Sequence, residues 1–237
     1  MPSQNFVIGN KTKFFFSILP DSMIDAPAAP ANVTITVDVV GTGGNVPINA
    51  TQIPVVPLSN PVPAFTPIPL TIGVNTLFVY TTKSAKAGAV VLEVEPITAQ
   101  IPDGTQGLYT GMLLLIGGTT SDEQIQAQDQ ETTVYGDDLG YSTGIVTKAS
   151  WNLSYSFNVL PSDPGYFRLS AAATQAVAGV RGWVRKVDPA PSGYTNGESI
   201  EGLCDVTDWS KSNPSDGIIT GKCTFKGRGA PTLKHYS

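Results

Sequence analysis

From Trp151 to Val159 the chain reads Trp-Asn-Leu-Ser-Tyr-Ser-Phe-Asn-Val, apolar at every odd position and Asn or Ser at every even one. Side chains of a strand alternate between its faces, so a run like this buries one face and wets the other only as a β-strand. What comes next is constrained by it. Leu160-Pro-Ser-Asp-Pro-Gly165 is a turn leading into a helix start, with Asp163 placed to cap free N–H groups and Pro164 suited to the first helical position. Tyr166, Leu169, Ala173, Val177 and Val180 recur at helical spacing, which predicts a helix over 164–178 with one apolar face. Gly179 and Gly182 can end it, and Gly182-Trp-Val-Arg-Lys-Val187 reads as the next strand.

The remainder of the chain also reads as strands and turns. Its 24 Gly and 19 Pro, with only 14% charged residues, favour short strands joined by turns over a helical bundle. Its 237 residues suffice for one large β domain or two small ones. Lys13–Leu19 predicts a first strand, Pro20–Pro30 a connection, and Asn32–Val39 an alternating strand. Seven prolines between Pro47 and Pro69 argue against a central strand there and predict an extended loop. Strands are expected at Thr76–Thr81, Lys86–Glu95 and Leu108–Ile116, and a polar, acidic loop over 117–131. Ile200–Trp209 and Ile218–Lys226 flank a turn and predict a hairpin. No repeat of fixed period is visible, which argues against solenoids and propellers.

Charge and chemistry exclude more than they indicate. A net charge of −5 without a Lys/Arg cluster disfavours a dedicated nucleic-acid binder. The start of the chain has no basic segment followed by a long apolar one, and no apolar run approaches the ~20 residues of a membrane-spanning helix. A soluble protein made in a cytoplasm is therefore expected. The single histidine, His235, stands close to the last residue, which argues against a His-based base, triad or metal centre. The glycine-rich Gly41–Gly44 lacks the lysine and helix of a phosphate-binding loop, and no serine sits in a nucleophile elbow. Neither catalytic residues, a cofactor nor a metal site are expected, and the chain does not read as an enzyme. A hairpin turning at Ser212–Ser215 would set Cys204 opposite Cys223, close enough for a disulfide; a cytoplasmic origin favours two free, semi-buried thiols instead.

The strand at 150–159, Ser162-Asp-Pro-Gly-Tyr166 opening a helix, Gly182-Trp-Val-Arg185, Gly202–Ser210, Pro214–Gly221 and the closing Lys226-Gly-Arg-Gly-Ala-Pro-Thr232 follow one another in order. Together they resemble the tail tube (major tail) protein of long-tailed bacteriophages, over residues 130–237 and more weakly over 1–20. The resemblance implies a mainly β fold, a tail-tube-type β-sandwich or barrel flanked by one helix, and a single domain in which 21–125 is an elaborated loop or a small inserted β module. It implies hexameric rings stacked into a hollow conduit for DNA, in a virion tail assembled in the host cytoplasm. Tail terminator, tape measure and baseplate proteins would be its partners, and DNA would pass without sequence-specific contact. On that reading Phe6, Phe14, Phe15, Phe16, Met112 and Leu114 are expected at subunit contacts. Asp129, Glu131, Asp137, Asp138, Asp205 and Asp208 are expected at lumen or inter-ring surfaces. The alternative is a baseplate or carbohydrate-binding β-sandwich module, with Trp151, Trp183 and Trp209 as candidates for its aromatic platform, although Trp151 alternates with core positions and is expected to be buried. Deleting residues 2–12 is expected to leave a folded monomer that no longer polymerises, measured by sedimentation and electron microscopy.

Overall fold

The computed structural model describes residues 12–23, 27–39, 44–131, 144–160, 163–175, 180–215 and 217–236. The chain leaves β1 (Lys13–Ile18) for a run of short strands: β2 (Val33–Thr36), β3 (Asn45–Val46), β4 (Gln52–Pro54), β5 (Pro67–Ile72), β6 (Asn75–Tyr80), β7 (Val91–Glu93), β8 (Ile101–Pro102) and β9 (Gln106–Tyr109). It then returns through β10 (Leu113–Leu115), β11 (Gly118–Glu131) and β12 (Gly144–Asn158). Helix α1 (Pro164–Thr174) follows, then β13 (Gly182–Val187), β14 (Ser199–Ser212), β15 (Thr220–Gly227) and β16 (Thr232–Lys234). The fold is mainly β.

A large antiparallel sheet has the order β10-β1-β13-β14-β15-β12-β11, with β16 also paired to β14. It curls on itself. Tyr155 on β12 gives its hydroxyl hydrogen to the Leu115 carbonyl on β10, and Lys186 on β13 reaches Glu123 on β11 at 3.0 Å. The inner face is aromatic. Phe14 and Tyr155 lie 4.8 Å apart, Tyr155 and Phe157 5.5 Å, and Phe16 and Phe225 5.6 Å. Each such ring contributes about 1.5–3 kcal/mol by leaving water. The alternation at 151–157 is realised as read: Trp151, Leu153, Tyr155 and Phe157 are all buried. Trp151 lies over Gly227 and Gly202 and donates its indole N–H to the Gly229 carbonyl at 2.9 Å.

Helix α1 closes one side of this core. Asp163 caps it, accepting from the Gly165 N–H at 2.8 Å with one oxygen and from the Ile116 N–H at 3.1 Å with the other. One carboxylate thus fixes both the helix start and the end of β10. The helix is capped at Gln175, short of the expected 178; 176–179 lie outside the described residues.

Residues 33–109 form a second hydrophobic cluster, separate from the first. This module sits between β1 and β10, which pair with each other through Phe14↔Leu115 and Phe16↔Leu113. It contains a duplication that the sequence does not advertise. Ile68↔Val79 in the β5/β6 pair is answered by Gly107↔Ile35 in the β9/β2 pair, and Leu70↔Leu77 by Tyr109↔Val33. Val62↔Ala85 repeats Val46↔Ile101. Loop hydrogen bonds repeat too: Val55 N–H to Val90 O matches Val94 N–H to Thr51 O, and Leu58 N–H to Ala89 O matches Ile97 N–H to Ala50 O. The two copies cross where β4 pairs with β7 at Ile53↔Leu92. Left-handed backbone falls at equivalent places, Asn49 with Gly88 and Phe65 with Gly104.

Three expectations are corrected here. A repeat is present after all: residues 46–70 and 85–109 correspond at one constant spacing, as in Asn49 with Gly88 and Phe65 with Gly104, and only β2 and β6 depart from it because the loop after β2 is longer than its counterpart after β6. Pro67 and Pro69 do lie inside an interior strand; the β9 ladder on β5 starts only at Leu70, so neither proline has to donate on that side. The loop expected over 117–131 is the long strand β11.

Ile53 and Leu92 are 1% exposed and related by the two-fold. Replacing either by Ala is expected to destabilise the protein by about 2–5 kcal/mol, and by nearly equal amounts, in urea unfolding. Gly227→Ala drives a methyl into the Trp151 ring and is expected to remove about 1–3 kcal/mol.

Candidate assembly surface

β11 ends the large sheet, and among the described residues its outer edge has no strand partner. Every residue from Gly118 to Ala127 is exposed, and the side chains are Thr, Ser, Asp, Glu and Gln with one Ile and one Ala. β12 pairs with β15 only from Asn152 to Asn158, whereas it pairs with β11 back to Gly144. Before Asn152, β12 therefore pairs with β11 alone, and among the described residues the two strands run on as a two-stranded ribbon. An isolated two-stranded ribbon is marginal in water, and a long free edge is a template for another strand. The ribbon is tied at its base. Lys186 holds Glu123 at 3.0 Å and Asp188 at 2.7 Å, and Asp188 also accepts from the Thr12 hydroxyl at 2.8 Å. Burial alone would lower the Lys186 pKa; its two carboxylate partners outweigh that and raise it.

The residues singled out from the sequence divide between interior and surface. Phe14 and Phe16 point into the subunit's own aromatic core, 3% and 0% exposed. Phe15 and Leu114 are cross-strand partners on the opposite face, Leu114 exposed and Phe15 half-buried, and Met112 is half-buried. Phe6, Asp137 and Asp138 lie outside the described residues. Asp129 and Glu131 belong to the ribbon strand β11. Asp205 binds Arg228 at 2.6 Å, and Asp208 is exposed with a left-handed φ of 52°. What sequence reading missed is the ribbon itself, whose only sequence signal is polarity. Of the tryptophans, Trp151 is buried, while Trp183 and Trp209 are half-buried, Trp209 within 5.5 Å of Phe157. No group of three or more His, Cys, Asp or Glu side chains poised for a metal occurs among the described residues.

Cys204 and Cys223 are free, buried thiols. Their expected register is corrected: Cys204 stands opposite Gly227, and Cys223 opposite Tyr155 on β12. The hairpin turns later than its Asn-Pro dipeptide suggests, and a bulge between Thr207 and Ser210 shifts the ladder again. Burial pushes the Cys223 thiol up to about 12 and Cys204 well above its ordinary value of 9.0.

No family model matches the chain, and the curated proteins contain no match to it. Solved structures similar to part of it include two of gene transfer agent particles. One is the tail of an empty gene transfer agent particle refined with C6 symmetry, with TM-score 0.42 and 13% identity, covering 52% of this chain and 87% of that one. The other is the virion of a native gene transfer agent particle, with TM-score 0.42 and 13% identity, covering 52% of this chain and 88% of that one.

The thiols give a pH signature. Below pH 9 they are protonated in both folded and unfolded chains. Above it only the unfolded chain ionises, because the folded values are raised, so the unfolded state binds fewer protons and stability falls as pH rises toward 12. The slope is expected to reach about 1.4 kcal/mol per pH unit for each thiol. Urea unfolding at pH 8 and about pH 10 checks it; replacing both cysteines by Ala is expected to flatten the fall.

Proposed function

We propose that this chain is the tube-forming subunit of a long-tailed phage tail, assembling into stacked hexameric rings around a passage for DNA. The observation that carries the reading is the polar ribbon of β11 and β12. Its free edge of 14 residues belongs to a strand built for pairing between subunits, and its Ser, Thr, Gln, Asp and Glu side chains suit a water-filled wall. The resemblance of residues 130–237 to tail tube proteins points the same way. A chain of net charge −5 offers DNA no cationic grip. Asp129 and Glu131 on the ribbon are the residues we assign to the lumen, with tail terminator, tape measure and baseplate proteins at the ends of the tube. The alternative of a carbohydrate-binding module is disfavoured by Trp151, which is 2% exposed and unable to serve in a platform.

Negative-stain electron microscopy of the purified protein is expected to show rings or hollow tubes of uniform width. Replacing residues 127–149 by an Asn-Gly turn is expected to leave the urea midpoint of the subunit almost unchanged while abolishing rings and tubes. Tubes of normal width from the shortened protein would overturn the reading.

A further inference from the structure

The duplicated module is not symmetric everywhere, and its departures from symmetry face the large sheet. The first concerns a turn. In the second copy the left-handed position is filled by Gly104, with φ 72°. In the first copy the same position is filled by Phe65, with φ 54°. A bulky residue in that region is a genuine outlier and persists only where its surroundings hold it there. Glycine would serve the turn better, as the other copy shows. Phe65 instead packs against the hydrophobic core of the large sheet and lines the cleft beside Ile18, Leu19 and Val180.

The second departure is Tyr109, which stands where the first copy has Leu70. Its hydroxyl lies 3.1 Å from Ser17 Oγ on β1. Its ring lies 5.0 Å from the guanidinium carbon of Arg168. Arg168, on α1, is 1% exposed and has no carboxylate partner among the described residues; it donates through Nη1 to the Thr110 carbonyl at 2.8 Å and the Gly111 carbonyl at 3.0 Å. These carbonyls belong to the segment by which the chain leaves the module. That segment is bound in turn to the incoming one. The Gly111 N–H donates to Asn32 Oδ1 at 2.8 Å, and Gly111 abuts the Pro30 carbonyl so closely that no side chain fits.

We propose that the module is a duplicated unit fixed on the large sheet as one rigid body by its two symmetry-breaking residues, Phe65 as a wedge and Tyr109 as a strut beneath Arg168. Both are positioning residues. The module's own fold asks for neither the Phe65 ring nor the Tyr109 hydroxyl: Tyr109 is a buried member of the module's core, but the equivalent place in the other copy is filled by Leu70, and that of Phe65 by Gly104. This sets the design of the test: each residue is replaced by the one its two-fold equivalent carries.

The variants are Phe65→Gly, Tyr109→Leu and the pair together, with Gly104→Ala as a control that strains the module without touching the dock. Hydrogen exchange of the full chain by mass spectrometry reads three regions: the module, the neck at 19–32 and 110–112, and α1. All three tryptophans lie outside the module, so their fluorescence follows the unfolding of the large sheet alone. Phe65→Gly and Tyr109→Leu are each expected to speed exchange in the neck and α1 about tenfold or more, with module strands β4 and β7 within about twofold of the parent. The double variant is expected to split one unfolding transition into two, the module and the fluorescence reporting different midpoints. Gly104→Ala is expected to speed exchange inside the module and leave the neck unchanged. Neck protection unaltered in both single variants would overturn the proposal. So would loss of protection throughout the module in both, since that would make the Phe65 ring and the Tyr109 hydroxyl supports of the module itself rather than of its dock.

Discussion

β1 and β10 leave and re-enter the large sheet as antiparallel neighbours, paired through Phe14↔Leu115. Anything inserted between them must begin and end at nearly the same point. This constraint shapes the N-terminal half. The module meets it because its first strand, β2, and its last, β9, are themselves paired, with Val33 opposite Tyr109. The ends of a closed two-fold unit fall together, so it can replace a hairpin turn without parting the strands that carry it. Asp163 and Arg168, both at the start of α1, then lock the returning chain, one through the Ile116 N–H and the other through the carbonyls of Thr110 and Gly111.

Three buried polar side chains, Ser17, Asp163 and Arg168, gather at that junction. Arg168 is desolvated without a counter-charge among the described residues, and burial draws its pKa down to about 10, which still leaves it ionised at neutral pH. Main-chain carbonyls and the face of Tyr109 take the place of an acid. Such an arrangement tolerates little displacement, since a buried cation without its partners is strongly unfavourable. The core of the large sheet, by contrast, rests on aromatic packing and small residues. Gly202 and Gly227 make room for Trp151, and no other residue at these places would let the indole reach Gly229.

Where one face of an element is buried, the sequence was readable. The alternation at 151–157, the cap at Asp163 and the helix after it, the strand at 182–187 and the final hairpin all follow from local pattern. β11 was not readable, because a strand exposed on both faces has no alternation to show. The duplication escaped for a different reason. Only scattered identities survive, among them Ala50 with Ala89, Val55 with Val94, Pro57 with Pro96, Pro63 with Pro102 and Thr66 with Thr105, and the loop after β2 puts β2 and β6 off that common spacing. Buried pairs such as Leu58 with Ile97 keep volume rather than identity, which is all that a packed core demands. The cysteine register depended on where the hairpin turns, which is later than the Asn-Pro dipeptide suggests, and the bulge then shifted it by one residue.

The crossing of β4 with β7 has a consequence for synthesis. Neither copy can bury its own apolar residues: Ile53 and Val55 stay wet until Leu92 and Val94 have left the ribosome. β1 waits longer still, since it needs β10 on one side and β13, more than half the chain away, on the other. The growing chain therefore closes its inner unit first and its outer sheet last. During that interval the Phe14–Phe16 strand is the exposed adhesive segment of a nascent subunit, made in the neighbourhood of many others.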